Sequence, residues 1–261
     1  MANSKYIAAT VKYYLKLFFK YKSNIIFEFF SELASPMCIN IMFVIGAISG
    51  TINTNVLIDT IIYIIIANIT YTITIANIEN TVANEVKMGK LSYKLLEPFP
   101  TYGNYILADM ANKFIRIILF YIPFLIVIIC FNKYDIFNIL IAIPFLFIAN
   151  IIGYCISFTI GCLSFWVTEI WGISAIKNLL ISVMAGTIFP FYLLSDKYQS
   201  LLLKTPFPFL SYVPSAIVLG EIQGSALLEL LFIGIVWSMV SIFVASTIWK
   251  CGRSKYECTG V

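Results

Sequence analysis

Apolar positions in this chain come in long blocks rather than in short alternating periods. Six blocks stand out, at residues 25–48, 56–76, 114–131, 137–164, 173–194 and 226–248. Each is near the ~20 residues a helix needs to cross ~30 Å of hydrocarbon. Pro144 predicts a kink or tilt in the fourth, and Pro190 interrupts the fifth. Ahead of them, residues 5–22 read as an amphipathic helix. Ile7, Val11, Tyr14, Leu15 and Phe18 recur on one face, with Lys5, Lys12, Lys16 and Lys20 opposite. That pattern suits a helix lying in the headgroup layer, and both its basic part and its apolar run are too long for a signal peptide. Two longer stretches break the blocks. Residues 79–113 are polar and charged. Residues 195–225 are external yet rich in Leu, Phe and Tyr, with Pro206, Pro208 and Pro214. Such backbone must be shielded from lipid by protein, which predicts an interfacial or re-entrant element. The expected fold is all-α: one polytopic transmembrane domain over residues 1–261.

Composition agrees. The chain is 61% apolar and 11% charged, with mean hydropathy +0.93, against about 45–50% and about 25% in soluble domains. Lys and Arg set the orientation. Five precede residue 25, five lie between Lys87 and Arg116, and three follow from Lys250, whereas Lys133, Lys197 and Lys204 fall on the other side. Both termini and the 79–113 stretch are therefore expected in the cytoplasm. Basic residues placed by topology do not indicate nucleic acid. The six cysteines form no C-x-x-C and His is absent, so no metal site is expected. No G-x-x-x-x-G-K-[ST] occurs, which excludes ATP binding by a P-loop in this chain.

Several patterns carry a bland and a sharp reading. Gly46 and Gly50 form G-x-x-x-G, and Ala149, Gly153, Ser157 and Gly161 repeat at every fourth residue. Small residues let helices approach closely in lipid, either within one subunit or between two. Glu28 and Glu32 sit one turn apart in the first block, and Lys177 enters the fifth from the same side. Similar depth makes an intramembrane pair between Lys177 and one of the glutamates an expectation. Ser174-Ala-Ile-Lys177 matches S-x-x-K without the S-D-N and K-T-G that a penicillin-binding nucleophile needs. Asn68-Ile-Thr70 is a sequon inside a span.

The 79–113 stretch is the best candidate for a partner contact. Gly89 permits a turn with positive φ, and Pro98 and Pro100 stiffen the chain. Tyr93, Leu95, Leu96 and Phe99 supply apolar anchors in an aqueous segment, ringed by Glu85, Lys87, Lys90 and Glu97, and Leu91 is expected in the same contact. A helix is expected to resume over Leu107–Lys113. The run GKLSYKLLEPFP resembles the G-x-L-x-x-x-L-L-x-P motif of type-2 ABC transporter permeases, with Glu97 where Arg is commoner. SFWVTEIWG, residues 164–172, is similar to the family's turn between its fourth and fifth spans. KYECTG near the end is similar to its usual close. The resemblance implies a non-enzymatic subunit in a bacterial cytoplasmic membrane, paired with a second permease. A separate ATPase subunit would carry ATP and Mg and dock on the loop. It also implies export of an amphipathic or hydrophobic cargo along a path lined by the first, second and fifth spans. A secondary transporter, a membrane enzyme built on Glu28, Glu32 and Asp59, and an immunity-type binding protein are the other classes.

Overall fold

A computed structural model describes residues 22–49, 54–97, 99–118 and 135–256, with single positions 9, 12, 13, 16 and 122. Most of the expected amphipathic helix, Gly50, Pro98, most of the third block beyond residue 118, and the side chains of Glu28 and Glu32 lie outside the described residues. Within them the chain is helical, without β-strand. The first two apolar blocks become α1 (Lys22–Ile48) and α2 (Thr54–Thr74). The polar stretch becomes α3 (Glu79–Lys87), α4 (Leu91–Leu95) and α5 (Thr101–Arg116). The fourth block is α6 (Ile136–Cys162), started by the Asp135 side chain accepting from the Phe137 amide. The remaining long helices are α7 (Trp171–Met184) and α10 (Ser225–Lys255). Among the described residues, three helical stretches are long and apolar enough to span a membrane: Leu57–Lys87, Ile136–Phe165 and Ser225–Lys255. Pro36–Ile48 and Trp171–Met184 are shorter apolar helices.

Two expectations about helix ends need correction. The fifth block does not stay helical to residue 194. Gly186 takes φ 79°, and the Thr187 and Gly186 amides donate to the carbonyls of Ser182 and Val183. This is a Schellman closure, open to glycine because it has no Cβ to clash in the left-handed region. Hydropathy does not register it, because the residues beyond are still apolar. The helix expected from Leu107 starts earlier, at Thr101, with the Gly103 and Asn104 amides donating to the Pro100 carbonyl.

The segment between α7 and α10 folds into the bundle. It holds α8 (Asp196–Leu202), a 3-10 turn (Phe207–Leu210) and α9 (Tyr212–Val218). Every residue of α9 is buried. Its start is held to α2 by polar bonds: Ser211 Oγ donates to the Ala67 carbonyl at 2.7 Å, and Thr70 and Ser215 hydroxyls meet at 2.7 Å. Phe209, Leu210, Ile217, Tyr63 and Phe145 fill the main core with it. A second, smaller core joins α3, α4 and α5 to α6 and α10, through Val82, Leu91, Tyr105, Phe158, Cys162 and Trp249.

Candidate functional site

Residues 75–78 interrupt the helix between α2 and α3. A break leaves carbonyls without intrahelical donors, and buried carbonyls need replacements. Side chains supply them. Ser157 of α6 donates to the Ala76 carbonyl, and Lys113 Nζ reaches the Thr74 carbonyl at 3.4 Å. The small-residue stripe of α6 lies against this joint. A Cβ on Gly153 would collide with the Thr74 carbonyl, and one on Gly161 would come within 2.8 Å of Val82 Cβ and 3.1 Å of Glu79 Cα. Gly153, Ser157 and Gly161 thus bring α6 onto the α2–α3 joint of the same chain. Gly46 sits near the end of α1, its carbonyl taking the Ser49 hydroxyl.

Directly below the joint, Glu79 opens α3, where a carboxylate is favoured by the helix dipole. Its Oε1 accepts from Lys177 Nζ at 2.7 Å and from Ser174 Oγ at 2.7 Å, both on α7. Lys177 Nζ also reaches Ser157 Oγ at 3.2 Å. The two charged side chains are 3% and 1% exposed. Glu79 Oε2 is buried without a hydrogen-bond partner among the described residues. The partner of Lys177 in this structure is therefore Glu79, from the polar stretch, while Glu28 and Glu32 lie outside the described side chains. The S-x-x-K spacing places Ser174 and Lys177 on one face one turn apart, and both grip the same carboxylate.

At its far end α3 is tied again, where Lys87 pairs with Glu169 just before α7. There the chain turns at Gly89, with φ 70° and open space around it, into the one-and-a-half-turn helix α4. Leu91 is 0% exposed within the second core. This corrects the expectation that Leu91 offers its side chain to a partner: burying it fixes α4 to the body, a contribution of about 1.5–3 kcal/mol. Leu95, one turn on, is half-buried against the same core. Tyr93 and Leu96 point the other way and are 77% and 85% exposed. Met88 and Lys90 are exposed beside them. Phe99 is half-buried, its ring over Gly103.

Two members of the charged rim, Glu85 and Glu97, are held by hydrogen bonds. Glu85 accepts from Lys94 at 2.6 Å and from the Tyr105 hydroxyl at 2.5 Å, and Lys94 lies 4.4 Å above the Tyr105 ring. Burial and the Glu85 hydrogen bond push the Tyr105 phenol up, so it remains the donor. Glu97 takes a hydrogen bond from Asn104 Nδ2, and Ser92 meets the Tyr256 hydroxyl at 3.2 Å. The arrangement is mechanical in character: an exposed apolar tip on a wedge of short helices, bonded at its base. Sequence reasoning missed Glu79, Ser174 and Tyr105 as members of this unit. The available signal was Glu79 itself, the first charge after an apolar span, opening a helix.

Comparison with curated proteins gives no match. The family model described as ABC-2 family transporter protein matches residues 29–260, so the chain belongs to the ABC-2 transporter family as a membrane component.

Proposed function

We propose that this chain is the permease of an ATP-driven exporter and that α4 with its flanking turns is the surface on which a separate ATPase subunit docks. One observation carries the reading. Tyr93 and Leu96 stand exposed at the tip of a segment whose base is anchored by Leu91, by the Glu85–Lys94–Tyr105 cluster and by Glu79–Lys177. An aromatic and an aliphatic side chain kept out on a rigid mount, with charges around them, is the form of an interface hot spot. Lys87, Lys90 and Glu97 provide the rim. In this reading ATP and Mg stay on the partner, the chain itself is not an enzyme, and closure of two ATPases moves the wedge. Such coupling requires contacts that differ between the two states.

The same reading gives the molecule six spans, both termini in the cytoplasm of a bacterial cell, and a second permease subunit beside it. The cargo is amphipathic or hydrophobic, a drug, peptide or lipid-like molecule, and α1, α2 and α7 line its path. The test is the double variant Tyr93→Ala with Leu96→Ala. Both side chains are exposed, so folding and insertion are expected to hold. Affinity for the co-expressed ATPase in pull-down should fall by about 2 kcal/mol or more, roughly thirtyfold. Full partner retention would remove the reading.

A further inference from the structure

A cavity of about 660 Å³ opens between α5, α6 and α10, and none of Glu79, Ser174 and Lys177 lines it. That volume lies within the ~300–1,000 Å³ of small-molecule sites. Its walls are largely apolar, with Phe147, Ile151 and Ile242 along the depth, and Phe158, Trp249 and Lys250 at one end. The helical rise puts Ile242 about 10–12 Å from Trp249 and Lys250 along α10, so the cavity is an elongated slot with an aromatic and a cation at its mouth. Three other polar groups in the wall, Asp109, Asn150 and Tyr154, are already engaged. Asp109 pairs with Lys113 at 2.8 Å, Lys113 donates to Asn150 at 2.8 Å, and the Tyr154 hydroxyl donates to the Tyr102 carbonyl at 2.7 Å. Lys250 is exposed and forms no ion pair among the described residues. Arg253 is exposed one turn further on the same helix.

A ligand for this slot needs a long apolar body and one anionic group at its end. We infer that the α5–α6–α10 slot binds an anionic phospholipid, with an acyl chain along Phe147 and Ile242 and the phosphate at Lys250 and Arg253. Charge complementarity chooses the headgroup. With Asp109 neutralised by Lys113, the mouth carries a net positive charge, and basic pockets between membrane helices on the cytoplasmic side favour anionic lipid heads. Trp249 suits the depth of the headgroup boundary. The site is independent of where an ATPase docks.

The test uses quenching of Trp249 by lipids with brominated acyl chains. The full chain carrying Trp166→Phe, Trp171→Phe and Trp237→Phe keeps Trp249 as its one tryptophan. It is reconstituted in phosphatidylcholine vesicles containing either brominated phosphatidylglycerol or brominated phosphatidylcholine. The glycerol lipid should quench at about fivefold lower mole fraction, the effect of one lysine near a membrane surface. Lys250→Gln should erase that preference, and Ser246→Phe, which narrows the slot, should weaken quenching by both lipids. Inorganic phosphate should not compete. Equal quenching by the two lipids, an unchanged preference in Lys250→Gln, or full competition by inorganic phosphate would each overturn the site. The unsubstituted protein gives a second reading: extracted from an equimolar mixture, it should retain phosphatidylglycerol over phosphatidylcholine by mass spectrometry, and equal retention would count against it.

Discussion

Two ion pairs join α3 to the chain around α7, and they differ in almost everything but their partners' charges. At the first residue of α3, Glu79 meets Lys177 in a buried contact supported by two serines. At the last, Lys87 meets Glu169 where the side chains are 50% and 72% exposed. Eight residues of helix, about 12 Å, separate them. Water screens the outer pair, so it contributes about 0–1 kcal/mol. The inner pair has no water to replace a lost partner, so removing one member strands a buried charge. The same bond type therefore makes a fixed joint at one end of α3 and a loose tie at the other. At the outer end the position of Gly89 and α4 therefore rests on buried Leu91 and on the Glu85–Lys94–Tyr105 cluster rather than on the ion pair.

The largest expected effect is at the inner pair. Glu79→Ala should destabilise the folded protein by about 3–5 kcal/mol, read as a drop in the thermal midpoint of detergent-purified protein. The exchange Glu79→Lys with Lys177→Glu should recover part of it. A midpoint unchanged in Glu79→Ala would mean that the joint is not fixed. Next is the packing that holds α6 to the joint. Gly161→Val forces a side chain into Val82 and the Glu79 backbone, an overpacking of about 1–3 kcal/mol. Gly172→Val, with nothing within 4 Å of its would-be Cβ, is the control on the same scale and should cost less. Smallest is the outer tie. Lys87→Ala should change stability by less than about 1 kcal/mol, and its effect should vanish in high salt. A loss as large as that of Glu79→Ala would erase the contrast between the two ends.

Much of the membrane architecture was legible from hydropathy. The blocks at 25–48, 56–76, 137–164 and 226–248 correspond to helices Lys22–Ile48, Thr54–Thr74, Ile136–Cys162 and Ser225–Lys255. Apolar run length reports what must be hidden from water, and these helices are long enough for that signal to dominate. It does not report where backbone hydrogen bonds close, so the Gly186 cap that ends α7 was invisible. The candidate site was legible as a stretch and illegible as an assembly. Lys177 and Glu79 are 98 positions apart, and depth alone matched Lys177 with Glu28 and Glu32. In α4 and its C-cap the sequence named Leu91, Tyr93, Leu95 and Leu96 together. Helical geometry divides them: Leu91 and Leu95, four apart, face the core, while Tyr93 and Leu96, three apart, face out. A five-residue helix is too short for periodicity to reveal that without its neighbours.

The central claim is that the α4 tip touches an ATPase. It is tested most directly by a photo-crosslinking amino acid placed at Leu96, with the same group at Leu201 of α8 as comparison. Both positions are exposed, at 85% and 63%, and the topology reading sets them on opposite sides of the membrane. In cells co-expressing the ATP-binding subunit, irradiation should join position 96 to that subunit and leave position 201 unjoined. Crosslinking from 201 and none from 96 would contradict both the docking surface and the orientation of the chain.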